Sequence, residues 1–530
     1  MNNPNISRLV LLKTSLENDY KHTLWFGVPS EDGTKANQTN YFLSRKVYEF
    51  NNLTYLRKDN SIKVPLVYDD VVGCNYVMYQ NNREDKWYYA FITDFKYVSE
   101  GVTEIFIETD VIQTWYFAYT VQPSFIEREH VDDDTPGKNT YPEQVELGEF
   151  ICNNKTEDEH LKNLLLVCAI NDYADSKLEV KGNVYGGVYS GVKYVVYPYN
   201  ADGVRMINED LSEYDDDAKA EAINSIFLVP SSVLSENPEY IPTGASELAP
   251  SWSTKDHYNQ VNKQETLNGY TPRNNKLLTY PYNYLLVSNN AGSGVVYHYE
   301  KFSTDYCSFL VKSTITPGCS IRMYPQSYNG MNLNTDEGIN GGKYPLCCWN
   351  SDAFTNWLTQ NSVNVGLGAV GGVVTTGLGA AAMFVPGMQL AGAGMIASGV
   401  LSVGSSIAQV HQASFMPDQV KGNTNCGDVV TASKHNTFMF YNMSIKEEYA
   451  RIIDGYFDMF GYKVCRVKRP NTNHRSRYWF TKTIDVNIDG NIPGKDIQKI
   501  KDAYNNGITF WRNGSEIGDY GLSNTIVNLD

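Results

Sequence analysis

From Ala353 to Pro417 the chain runs for 65 residues without an Asp, Glu, Lys or Arg. No water-facing surface is built from such a segment. Whatever the remaining residues fold into must shelter it or pass it to another apolar phase. A helix crosses a bilayer with about 20 apolar residues. Residues 363–385 and 388–410 are each about that long, and Pro386-Gly387 between them is a strong turn signal. The layout is a hairpin of two apolar arms with the tip MFVPGM.

The residues expected to insert are Val363, Val365, Leu367, Val370, Val373, Val374, Leu378, Met383, Phe384, Val385, Pro386, Gly387, Met388, Leu390, Met395, Ile396, Val400, Leu401, Val403 and Ile407. Eleven glycines fall between Gly366 and Gly404. Gly366, Gly368, Gly371, Gly372, Gly377, Gly379, Gly392, Gly394, Gly399 and Gly404 are the expected packing and flexing positions. Gly368 to Gly372, Gly387 to Ala391 and Gly394 to Ser398 repeat a small-xxx-small spacing, which lets apolar helices approach closely in lipid. Each glycine costs a water-exposed helix roughly 0.8–1 kcal/mol. In a bilayer the backbone must pair internally, and the same arms become tolerable as helices. The profile is that of a conditional membrane segment.

Three other readings compete. A buried helical hairpin would use Leu, Ile and Phe rather than glycine. A permanent anchor would carry flanking Lys or Arg, whereas the nearest charges are Asp352 and Asp418. A flexible linker would be rich in Ser rather than Val, Leu and Met. Gly366 to Gly371 also satisfies GxGxxG, but a dinucleotide site needs an acid about 20 residues later, and none follows before Asp418. INGGKYP, with Lys343, lacks the Ser or Thr of a phosphate loop.

The rest of the chain is ordinary globular text with 42% apolar and 20% charged residues. Its length suggests about three or four domains. A net charge of −16 disfavours a sequence-reading DNA binder, because like charges repel. A conduit that DNA passes without adhering remains compatible. The 39 tyrosines suit strands and half-wet interfaces. The nine cysteines are scattered without a CxxC pair and read as free thiols of a reducing cytoplasm. The N-terminus lacks the charged region and long apolar run of a signal peptide.

Between Asn40 and Trp115, LTYLR, VPLVYDDV, CNYVMYQ, KWYYAFITDFKYV and TEIFIETDVIQTW read as strands separated by turn residues. KWYYAFITDFKYV has a mixed period, so one or both of its faces are covered. Asp132 to Asp134 with Pro136-Gly137 mark a solvated border loop rather than a metal site. From 160 to 350 the sequence predicts the strand LKNLLLVCAI and three hairpins: VYGGVYSG-VKYVVYPY, YNYLLVSNNAGSGVVYHYEKF and CSFLVKSTITPGCSIRMYP. DDDAKAEAINSI from Asp215 is the only helix expected there, and the stretch from Thr243 is loop-like. Near the end, SIKEEYARIIDGYFDMFG carries apolar residues at Tyr449, Ile452, Ile453, Tyr456 and Phe457, a helical period. Ser444 with Glu447 or Glu448 is a candidate start. Strands YKVCRVKRP and RYWFTKTIDVNI, helix GKDIQKIKDAYNNG and strand ITFWRN complete an α-β-β-α-β layer.

Neither HExxH nor GxSxG occurs, and the eight histidines are scattered. No catalytic residue, metal ligand or cofactor is expected. His411 stands at the base of the apolar run, with a reference pKa near pH 6.5, and is expected to be structural or solvated.

TDVIQTWYF from Thr109, SFIEREHVDDD from Ser124 and GYFDMFGYKVCRVKRPN…RYWFTKTIDVNIDGNIPGKDIQKIKDAYNNGITFWRN resemble the distal tail knob proteins of phi29-like short-tailed phages. The apolar loop has the same place, just before the C-terminal block. The resemblance implies a mainly β chain with an α+β C-terminal part, a multi-domain subunit of a ring-shaped, hexameric tube with a long apolar loop. Residues 1–125 and 421–530 would form the tube, 126–350 the knob and 351–420 the membrane-active loop. The implied partners are the other copies in a homo-hexamer, the proximal tail tube protein, genomic DNA passing without sequence-specific binding, and host cytoplasmic membrane lipid. The implied location is the tail tip of the virion, with synthesis in the host cytoplasm. The alternatives are a pore former unrelated to phage tails and a tail-associated wall-degrading enzyme.

Overall fold

The computed structural model describes residues 7–348 and 437–527, apart from 29–32, 52–54, 57–59, 82–85, 172, 175–178, 181–182, 186–187, 191, 213–221, 236, 238–239, 249–253, 291–293, 314, 316–318, 331–337, 345 and 473. The chain forms two units. The first gathers Met1–Glu149, Gly269–Leu277 and Lys446–Asp530; the second gathers Phe150–Asn268 and Leu278–Ile445.

In the first unit, the strand Arg8–Leu12 reads RLVLL, apolar without alternation after its first residue. The reason is that both faces of its sheet are covered. Leu9 and Leu11 enter one apolar cluster, while Val10 and Leu12 enter another. The sheet is antiparallel, in the order Lys46–Asn51, Arg8–Leu12, Tyr76–Gln80, Tyr88–Ser99, Val102–Thr109, Ser61–Val64, Tyr55–Leu56. Tyr88–Ser99 explains the mixed period of its sequence: Tyr89, Ala90 and Phe91 are buried on both faces, and the far half runs out into solvent. The helix Thr34–Leu43 covers one face, with Phe42 stacked on Tyr76 at 5.3 Å. Two of the expected strands end differently. VYDDV contains the short helix Tyr68–Val71, and VIQT forms the turn Val111–Thr114, capped by Asp110.

A second sheet of this unit weaves both ends of the chain together. Its order is His22–Leu24, Ile508–Trp511, Tyr478–Ile484, Ser124–Glu129, Tyr462–Lys468, and the first pair is parallel. The helix Gly494–Asn506 buries Ile500, Ala503 and Tyr504 against Trp479 and Phe510, and stops at Gly507 with φ +95°. The helix Glu447–Phe460 forms where the apolar period places it, but its buried face is Ala450, Ile453, Asp454 and Phe457. Ile452 is 69% exposed. Its N-cap is Lys446, which makes no side-chain cap bond, so Ser444 does not start it. Gly461 ends it at φ +62°, where a Cβ would lie 2.1 Å from the Glu129 carbonyl oxygen. Only glycine fits that approach.

The second unit shares one apolar core across three antiparallel sheets. One runs Ser246–Glu247, Val192–Pro198, Leu164–Asn171, Ile223–Pro230, Leu346–Cys348. Another runs Phe150–Glu157, Met439–Ile445, Asn283–Ser288, Gly294–Tyr297. The third runs His257–Asn262, Tyr306–Ser313, Ser320–Gln326, Ile339–Lys343. LKNLLLVCAI forms the central strand of the first, with Leu165 to Ile170 all buried. The two later hairpins pair as expected. The first does not: Asn183–Tyr185 pairs with Val188–Ser190, and Val192–Pro198 joins the larger sheet. The helix Ala201–Leu211 was not expected, whereas most of DDDAKAEAINSI lies outside the described residues and its end, from Ile223, is strand.

Candidate functional site

Every residue expected to insert or to pack in the membrane, from Val363 to Ile407, lies outside the described residues, as does His411. The described residues contain no helix long and apolar enough to cross a membrane. The structure does show the two points between which that segment runs. Chain leaves through Leu346–Cys348, paired with Ile223–Pro230 at Phe227↔Leu346 and Ser225↔Cys348. Chain returns at Thr437 and Phe438 and continues into Met439–Ile445, which lies between two other strands of its sheet.

A polar cluster grips the return point. The Asp158 N–H donates to the Phe438 carbonyl at 2.9 Å, and the Thr437 hydroxyl donates to the Asp158 carbonyl. Asp158 follows the strand Phe150–Glu157 and caps the short turn Glu159–Leu161, accepting the His160 N–H at 2.9 Å. Its carboxylate meets two imidazoles. His160 Nδ1 lies 3.1 Å from Oδ1, and His257 Nε2 lies 3.1 Å from Oδ2. The rings stack with centroids 4.5 Å apart. Asp158 is wholly buried, His257 nearly so, and the His160 side chain is 31% exposed. His257 Nδ1 is buried with no hydrogen-bond partner among the described residues. Burial alone would raise the Asp158 carboxyl, but the hydrogen bonds from both histidines outweigh it and hold it well below the usual carboxylate range. The same bond to Asp158 raises His160. Sequence reading missed this cluster. Asp158-x-His160 is visible as a pair, but His257 stands far downstream in a stretch read as loop, and only the fold brings it near.

In the first unit, acidic residues act as ties. Asp454 is wholly buried and accepts from the Tyr270 hydroxyl at 2.7 Å, the Arg273 N–H at 2.8 Å and Asn274 Nδ2 at 2.8 Å. Asp134, in the acidic run read as a solvated loop, is instead mostly buried and accepts from the Tyr462 hydroxyl at 2.6 Å and the Asn275 N–H at 2.9 Å. Glu143 pairs with Arg128 and Lys276. Among the described residues, Cys74, Cys152, Cys168, Cys307 and Cys465 are in no disulfide.

The described residues form mainly antiparallel strands with few helices, and Asp454, Asp134 and Glu143 fasten segments of the first unit to one another. The solved structure of the bacteriophage C1 tail knob protein, gp12, has a similar fold, with a TM-score of 0.65 at 14% identity over 98% of this chain and all of that one. Residues 6–120 match the N-terminal model of caudoviral major tail proteins. The tail knob protein gp9 of Bacillus phage phi29 is 24% identical, with 98% of each chain covered; that of Bacillus phage PZA is 25% identical with the same coverage. Residues 245–525, more than half the chain, match the model for the C-terminal domain of the phi29 tail knob protein gp9. The chain belongs to that family and is a structural tail knob protein of a phi29-like phage, a virion component carried at the tail. None of these descriptions names a catalytic activity.

Proposed function

We propose that six copies of this chain form a ring-shaped tube at the distal end of the tail, seated on the proximal tail tube protein. Genomic DNA passes through its lumen during ejection. Residues 1–125 and 421–530 make the tube, 126–350 the knob and 351–420 the apolar loop. Six loops plug the lumen before infection; they then enter the host cytoplasmic membrane and open a pore. The observation that carries this reading is the uncharged run from Ala353 to Pro417 in a tail knob protein of net charge −16. A segment of that kind needs an oligomer to cover it, and a chain of net negative charge does not hold DNA by its phosphates.

Dye release from liposomes tests it. The whole protein is compared with a variant whose residues 363–410 are replaced by a short Gly/Ser linker. Leakage from the intact protein alone is the expected result. Equal leakage from both, or none from either while both assemble normally, removes the membrane role.

A further inference from the structure

We propose that Asp158, His160 and His257 form a binding site for one first-row transition-metal dication, with zinc as its representative. Their ligand atoms all lie within 4.8 Å of one another, the one such group of three among the described residues. Two ligands held about 2.05 Å from zinc at the tetrahedral angle lie about 3.3 Å apart. The carboxylate oxygens are already 3.1 Å from His160 Nδ1 and from His257 Nε2. The two stacked rings need only a small swing toward each other. Two imidazole nitrogens with one carboxylate suit zinc, cobalt or nickel. Magnesium and calcium call for oxygen donors throughout.

The surroundings fit a site that is built rather than incidental. Asp158 is fixed at its N–H by Phe438, at its carbonyl by Thr437 and at its carboxylate by the His160 N–H. A ligand held on the main chain in this way loses little freedom when a metal arrives. His257 is nearly buried and aligned by its strand, whereas the His160 side chain is partly exposed, and water would supply the fourth ligand. Two stacked imidazolium rings would repel. A dication instead sets its charge against the buried carboxylate with both rings neutral, leaving one net positive charge toward the exposed side at His160. The metal thus joins the turn after Phe150–Glu157 to the start of His257–Asn262, directly beside Thr437 and Phe438.

The test uses the full chain, stripped with a chelator and titrated with zinc by calorimetry, with metal content measured by mass spectrometry. The expected result is one zinc per chain, a higher melting temperature, and binding weakened by about a hundredfold or more in both His160→Gln and His257→Ala. Cobalt should give intense tetrahedral bands in the wild type that His160→Gln loses. His160→Gln is the deciding variant should His257→Ala fail to fold, because its side chain is partly exposed and circular dichroism checks its fold. Absence of stoichiometric zinc, or equal binding by a folded His160→Gln, overturns the proposal.

Discussion

His130 shows how strictly a single side chain is specified here. The Phe480 N–H donates to its Nδ1 at 2.7 Å, so Nε2 carries the proton and donates to the Asp458 carbonyl at 2.9 Å. Both nitrogens are thus used by the neutral ring. Burial, then the nearby charge of Arg475, push its pKa down to about 3. A group depressed on folding adds stability above its unfolded value, near pH 6.5, and that stability is lost as pH falls toward 3. Full expression of the shift amounts to about 5 kcal/mol. Asp110 acts in the opposite sense. Burial raises it to about 6, so its contribution is present below pH 3.8 and lost as pH rises through 6. Comparing wild type with His130→Gln separates the two. The variant should be clearly less stable in urea at pH 7, and the gap should shrink by several kcal/mol by pH 4. A gap that does not change with pH means His130 titrates as in the unfolded chain. None of this was legible beforehand: the sequence shows a histidine between Glu129 and Val131, not the Phe480 amide that meets it.

At the scale of elements, legibility followed locality. The hairpins around Asn289-Asn290 and Pro317-Gly318 were readable because strand, turn and partner strand follow one another within a few residues. Val192–Pro198 was misassigned because its partners, Leu164–Asn171 and Ser246–Glu247, lie far away in the chain, and no local period encodes that choice. The helix Ala201–Leu211 did carry a local sign that was passed over, namely Asn200, whose side chain accepts the Gly203 N–H at 3.0 Å. Asn200→Ala should therefore lower the stability of the second unit by about 1 kcal/mol in denaturant titration; no change would mean that the apolar face at Val204, Ile207 and Leu211 holds the helix unaided. The helix Glu447–Phe460 was placed correctly but rotated, because Asp454 on its buried face displaced Ile452 to solvent. That carboxylate holds the segment Gly269–Leu277. Asp454→Ala leaves its buried donors unpaired and should cost several kcal/mol, since each such donor left without a partner costs about 1–3 kcal/mol. Urea unfolding checks the loss, and limited proteolysis should cut first within 269–277. A variant as stable and as resistant as wild type would show that the segment is held by other contacts.

For the whole molecule, the sequence signalled most clearly what a lone chain does not explain: an uncharged run from Ala353 to Pro417 and 39 tyrosines. The described surface adds a row of three apolar side chains on adjacent strands. Phe125 is paired with Val467 on one side and Ile484 on the other, and they are 37%, 69% and 55% exposed. Directly opposed residues in a sheet point to the same face, so the three form one strip. Single exposed hydrophobics need no account, and a strip across three strands is the described surface we propose for a contact. If the tube is built from copies of this chain, this strip is where a neighbouring copy packs. A charge there must then be desolvated on assembly, at a cost that one protein–protein contact does not recover. Light scattering of the wild type should give six times the 59.7 kDa chain mass, and Phe125→Glu or Val467→Glu should give the single chain with an unchanged circular dichroism spectrum. The side chains already face solvent in the isolated subunit, so the substitution tests assembly and not folding. Rings of full mass from both variants would place the subunit contact elsewhere on the surface.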